Sequence, residues 1–149
     1  MDREQKQRRR LVKAHLHEYR NLRREERSIL EQLERLQNRM DLRAVVLTGQ
    51  PKGTTTYTMA DYVAELDELQ GQLEEALSDT ILAYKRIQEE INSMPDPLHR
   101  VLLIDYYLLE KPFDQIADRL GYSLARIHHL HAEALDAFPL DEDAIWHSY

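Results

Sequence analysis

Residues 3–43 contain neither glycine nor proline, and their apolar side chains recur three and four positions apart: Val12, Tyr19, Leu22, Ile29, Leu33, Leu36 and Met40. That spacing keeps one stripe on one face of an α-helix. It predicts a single long helix, about 60 Å if fully helical at roughly 1.5 Å per residue, with His15 and Glu26 as polar interruptions of the seam. The stretch "TGQPKGTTTYT" (Thr48–Thr58) ends it, because Gly, Pro and a threonine run favour a loop. Ala44–Leu47 reads either as a last helical turn or as a short extended piece. Thr58 and Asp61 then form a capping-box variant. A second seam follows over about 59–93, through Tyr62, Leu66, Leu69, Leu73, Ala76, Ala83, Ile87 and Ile91. "SMPDP" stops it, since two prolines within three residues cannot continue a helix. Matching stripes joined by a loop at about 44–58 predict a long, antiparallel, coiled-coil-like hairpin over residues 1–93. A lone two-helix hairpin buries little surface, so the same seams are expected to pair two chains into a homodimer.

Residues 94–138 read as a compact helical unit. Asp96 can cap and Pro97 can start its first helix, whose inward face is expected to carry Leu98, Val101, Leu102, Asp105 or Tyr106, and Leu109. Pro112 opens a short helix with Ile116, Ala117 and Leu120 inward. Gly121 supplies a positive-φ turn, and Ser123 caps the last helix. At 100° per residue, Ile127, Leu130, Ala134 and Phe138 share one stripe, with His131 at its edge. Ala125, His129 and Ala132 lie opposite, flanked by Arg126, His128 and Glu133. Two short helices hinged at a glycine, with the outer face of the second left free, fit a helix-turn-helix, with a plain helical packing module as the alternative. The fold class is therefore all-α: a hairpin, a trihelical helix-turn-helix domain over 94–138, and an acidic tail over 139–149 in which Trp146 is a candidate anchor.

Charge is unevenly placed. Residues 1–43 carry a net +5, residues 44–94 a net −6 and residues 95–149 a net −6. A basic helix beside an acidic one favours pairing within the fold before any partner. With no cysteine, disulfide and thiolate chemistry are excluded, which fits a reducing cytoplasm. The N-terminus has no apolar core that would suit a signal peptide, and no stretch is apolar enough to span a membrane.

The segments "MPDPLHRVLLIDYY" and "KPFDQIADRLGYSLARIHHLHAEALDAF" resemble region 4 of sigma-70-type factors. They are closer still to a sigma-region-4-like family of Gram-positive bacteria and their phages, similar to the ArpU and RinA-type phage regulators. The resemblance is concentrated in residues 94–138. It implies a transcriptional role on double-stranded DNA, with RNA polymerase as a further partner. Matched position by position, it puts base-reading roles on Leu124, Ala125 and His129 and phosphate contacts on Arg126 and His128, with Ser123 as the cap. Arg119 and Lys111 are the nearby cations. An alanine can touch a thymine methyl but cannot make a bidentate hydrogen bond to a base. Residues 95–138 carry a net −3, and phosphate neutralisation supplies most nonspecific DNA affinity. Arg8, Arg9, Arg10 and Lys13 are therefore expected as auxiliary phosphate contacts, or else as a helix face paired with acids of the second helix.

The leading expectation is a DNA-binding transcriptional regulator of phage or prophage type. The alternatives are a protein-interaction module that docks on RNA polymerase or another regulator, and a phage DNA-packaging recognition subunit. No nucleophile, base and orienting group come together in the sequence, so neither an enzyme nor a cofactor is expected. "GQPKGTT" (Gly49–Thr55) lacks the glycine and lysine spacing of a phosphate loop. His128 and His131 can share a helix face, but no third ligand stands at metal-binding spacing, so no metal site is expected. His131 reads instead as a core-edge histidine bonded locally.

Overall fold

The computed structural model describes residues 2–47 and 57–141, with side chains except those of residues 41–47. Every regular element among them is helical: α1 (Arg3–Leu16), α2 (Glu18–Leu47), α3 (Met59–Asn92), α4 (Pro97–Leu103) with a π-helical turn at Ile104–Leu108, α5 (Phe113–Leu120) and α6 (Leu124–Ala137). Ala44–Leu47 thus belongs to a helix, whereas the 48–56 loop, including Gly49–Thr55, and Trp146 lie outside the described residues.

The single helix expected over 3–43 is bent at His17. The backbone ladder continues on both sides, with His17 N–H donating to Lys13 and Asn21 N–H donating to His17 at 2.9 and 3.0 Å. No Gly or Pro marks the bend. Val12 and Leu16 are fully buried on the inner side, so the helix curves around a core, as long helices do. Thr58 and Asp61 form the capping box: Asp61 N–H donates to Thr58 Oγ1 at 3.2 Å and Thr58 N–H to Asp61 Oδ2 at 2.9 Å.

The chain divides into two compact units. One comprises Leu22–Thr80. In it, Leu36, Ala76 and Thr80 are buried, and so is Glu26, the polar interruption of the seam. Arg23 Nη1 lies 3.5 Å from Glu26 Oε1, and the Thr80 hydroxyl donates to the Ala76 carbonyl at 2.7 Å. An open groove separates the polar edges of α2 and α3 there, lined by Arg35, Arg39, Glu65 and Glu68 among others.

The other unit comprises Met1–Asn21 and Ile81–Tyr149, so the sequence boundary at 93/94 falls inside it. Its helices run antiparallel where α1 and the start of α2 meet the end of α3. Tyr19 packs edge-on to Tyr84 at 5.3 Å, Arg86 pairs with Glu18 at 2.6 Å, and His15 pairs with Glu90 at 2.9 Å. Asp96 accepts from Leu98 N–H at 2.9 Å and Pro97 occupies the first turn of α4. Two apolar clusters then meet α4 on neighbouring faces. Leu103, Tyr107 and Leu108 join Val12, Leu16, Ile87, Ile91, Ala134 and Phe138. Leu102 joins Ile116, Ala117, Ile127 and Leu130. Val101 and Leu109, expected inward, are exposed. Beyond Leu103 the π turn, closed by Leu109 N–H to the Ile104 carbonyl, adds a residue per turn and rotates later side chains out of helical phase.

Candidate nucleic-acid interface

The helix-turn-helix is built from local chemistry. Pro112 leads into α5, whose Ile116 and Ala117 are buried. Gly121 follows with φ 75°, in the left-handed region where a glycine carries no Cβ penalty. Tyr122 N–H donates back to the Ala117 carbonyl at 3.0 Å. Ser123 Oγ then accepts from Arg126 N–H at 3.1 Å and starts α6. The inner stripe of α6 is buried as its periodicity predicts, at Ile127, Leu130, Ala134 and Phe138, and Leu135 beside it is buried too.

The outer face is open. Ser123, Leu124, Ala125, Arg126, His128 and His129 are all exposed, so the six residues expected at the interface come together on one surface. Arg126 is exposed, and its guanidinium forms no ion pair among the described residues. His129 Nε2 pairs with Glu133 Oε1 at 3.0 Å, one turn along the helix. The His128 ring packs 4.9 Å from Phe113. Tyr122 and Leu124 are 41% and 47% exposed and form an apolar edge to the surface.

No family model, curated protein or solved structure matches the chain. The reading of this face therefore rests on its own geometry.

Four of the other expected cations are already engaged. Asp105 is buried, with Arg119 Nη1 at 3.1 Å and Lys111 Nζ at 3.9 Å from its carboxylate. A buried carboxylate needs such partners, because desolvation without compensation costs several kcal/mol. Arg8 and Arg9, expected either on phosphate or on acids of the second helix, are committed to the C-terminal end of α6 instead. Arg8 donates to the carbonyls of Leu135, Asp136 and Phe138 at 3.1, 3.2 and 2.7 Å. Arg9 makes a forked pair with both oxygens of Asp136. The arginine beside it lowers the Asp136 pKa, and its own is raised in turn. The physical reason is the orphaned carbonyls and partial negative charge at a helix C-terminus, which attract a guanidinium. Arg10 and Lys13 remain exposed.

Beneath the face lies a buried polar pair that the sequence reading did not foresee. His131 is not bonded locally: its Nε2 lies 2.7 Å from the Tyr107 hydroxyl, 24 residues away. Burial, then the charge of Lys13 and the rings of His128 and His17, lower the His131 pKa to about 4. Burial raises that of Tyr107. A neutral ring leaves Nε2 free to accept the Tyr107 O–H. Tyr106 stacks on Phe113 at 4.0 Å, and the Arg20 guanidinium lies over the Tyr106 ring at 4.3 Å. The available clue was Asp105 and two tyrosines interrupting the run "VLLIDYYLL". No group of three or more His, Asp or Glu able to hold a metal occurs among the described residues.

Proposed function

We propose that the chain is a helix-turn-helix DNA-binding regulator of the sigma-region-4-like, phage type, with the N-terminal outer face of α6 entering the major groove. The observation that carries this reading is the exposure of Ser123, Leu124, Ala125, Arg126, His128 and His129 together, immediately after the left-handed turn at Gly121. That is the part of a recognition helix that meets base edges. Arg126 supplies the one fork-shaped donor group on this face. Binding should be tested by electrophoretic mobility shift on promoter fragments over a salt series. A complex weakened by salt supports the reading. Arg126→Ala should weaken it by about 1–3 kcal/mol if the guanidinium touches a base. Unchanged binding by that variant would remove α6 from the interface.

A second reading is favoured by a separate observation. Lys111, Arg119, Arg8 and Arg9 all spend their charge inside the fold, while Tyr122 and Leu124 stay exposed. A surface poor in available cations with an apolar edge suits a protein partner, such as RNA polymerase or another regulator. Retention of polymerase from nuclease-treated lysate, lost in Leu124→Asp but not in Arg126→Ala, would select this reading.

A further inference from the structure

Helix α1 sorts its cations between two faces. Arg8 and Arg9 turn inward to the end of α6. Arg3, Lys6, Arg10 and Lys13 are all exposed. Their spacing of 3, 4 and 3 puts them within about 40° of one line down the helix, at 100° per residue. None of the four forms a hydrogen bond or an ion pair through its side chain among the described residues. Acids are not in short supply, since the chain carries 27 against 20 Lys and Arg. Yet Glu4, the acid within α1, lies about 140° from that line, and Asp2 stands just before the helix. Like charges three and four apart destabilise a helix, and Arg3 and Lys6 add theirs at the positive end of its dipole. The strip therefore costs the free chain stability, and a bound polyanion removes that cost.

We propose that the outer strip of α1, formed by Arg3, Lys6, Arg10 and Lys13, holds the phosphate backbone of duplex DNA. A lipid surface is unsuited, because an interfacial helix inserts an apolar face. The apolar back of α1, Val12 and Leu16, is fully buried in the core with Ile87, Ile91 and Ala134. A protein partner would need an anchor side chain to enclose, and no large apolar residue interrupts the strip. A duplex carries one negative charge per about 1.7 Å of axis, dense enough to meet a cation roughly every 5 Å along α1.

The strip also ends beside the candidate interface, within the same compact unit. After burial, the charge of Lys13 is the largest influence that keeps a proton off His131. His131 lies one turn along α6 from the exposed His128. The strip and the α6 face can thus serve one duplex. The inference does not depend on α6 reading bases, because a backbone contact carries no sequence information.

Fluorescence anisotropy of a labelled duplex of arbitrary sequence, titrated with the full chain from about 50 to 200 mM salt, tests the strip. Each neutralised phosphate adds about 0.9 to the slope of log affinity against log salt. Arg10→Gln with Lys13→Gln should make the slope shallower by about 1.8, and glutamine at all four positions by about 3.6. The fourfold variant should therefore lose affinity about 150-fold less than the wild type across that salt range. Glutamine is a good helix former, so circular dichroism should show unchanged helix content. Lys85→Glu, at an exposed position of α3, changes the net charge by as much as the double variant and should leave the slope unchanged. A chain that ignores the duplex at the lowest salt overturns the proposal. So does a double variant with the wild-type slope, or an equal effect from Lys85→Glu. Binding to phosphatidylserine vesicles in preference to the duplex also overturns it. Arg126→Ala separates the two surfaces. If it leaves binding unchanged while the double variant weakens it, the α6 reading falls and the strip stands; the reverse pattern keeps α6 and removes the strip.

Discussion

The buried His131–Tyr107 pair makes the stability of the helix-turn-helix unit depend on pH in a direction that can be worked out. The folded ring takes up a proton only near pH 4, whereas the unfolded chain protonates it near the ordinary value of 6.5. Between these values the unfolded state binds more protons. Stability is therefore full above about pH 6.5 and is lost as pH falls towards 4. The total is about 3 kcal/mol, of which about 2 kcal/mol is lost by pH 5. Urea unfolding followed by circular dichroism at pH 7.5 and pH 5, on the wild type and on His131→Leu, isolates the term. The variant leaves the Tyr107 hydroxyl without its partner, a cost of about 1–3 kcal/mol at either pH. Groups common to both proteins cancel in the comparison. The gap between the two proteins should therefore narrow, or reverse, by about 2 kcal/mol on going to pH 5. Parallel losses in both proteins would show that His131 titrates normally and is not buried against Tyr107.

Arg8→Ala should lower stability by about 2 kcal/mol in thermal or urea melts, because three carbonyls at the end of α6 lose a charged donor. Arg8→Lys should recover little, since an ammonium cannot span the fork. Gly121→Ala meets no atom within 4 Å, so its cost should be the backbone term alone, about 1 kcal/mol for a residue held at φ 75°. Asp105→Asn should release Arg119 and Lys111, so mobility shifts on DNA should strengthen and the salt slope steepen by about 1.8 if both reach phosphate; a flat slope would show that neither cation faces DNA.

The parts of the fold that were legible in the sequence are those set by one residue's own backbone chemistry or by a single buried face. Thr58 with Asp61, Asp96 with Pro97, Gly121 and Ser123 act where their side chains and φ preferences place them. The α6 stripe was readable because α6 buries one side only. The phase of α4 was not. A helix that meets two clusters on neighbouring faces buries adjacent residues, Leu102 and Leu103, and no single-face periodicity describes it. The π turn then shifts Tyr107 and Leu108 inward and leaves Leu109 out.

The basic cluster of α1 shows a different reason for illegibility. Charge patterning identifies cations but counts only side-chain anions as partners. Arg9 holds the Asp136 carboxylate, but Arg8 is held by a row of main-chain carbonyls at the end of α6, which every helix possesses and no residue type announces. Those bonds make α1 a brace on the far end of the helix whose near end forms the candidate interface. Arginines that look like a supplementary phosphate clamp thus anchor α6, and the unpaired charge on the proposed interface contracts towards Arg126. A partner that binds here must be recognised by the shape and apolar edge of α6 as much as by charge.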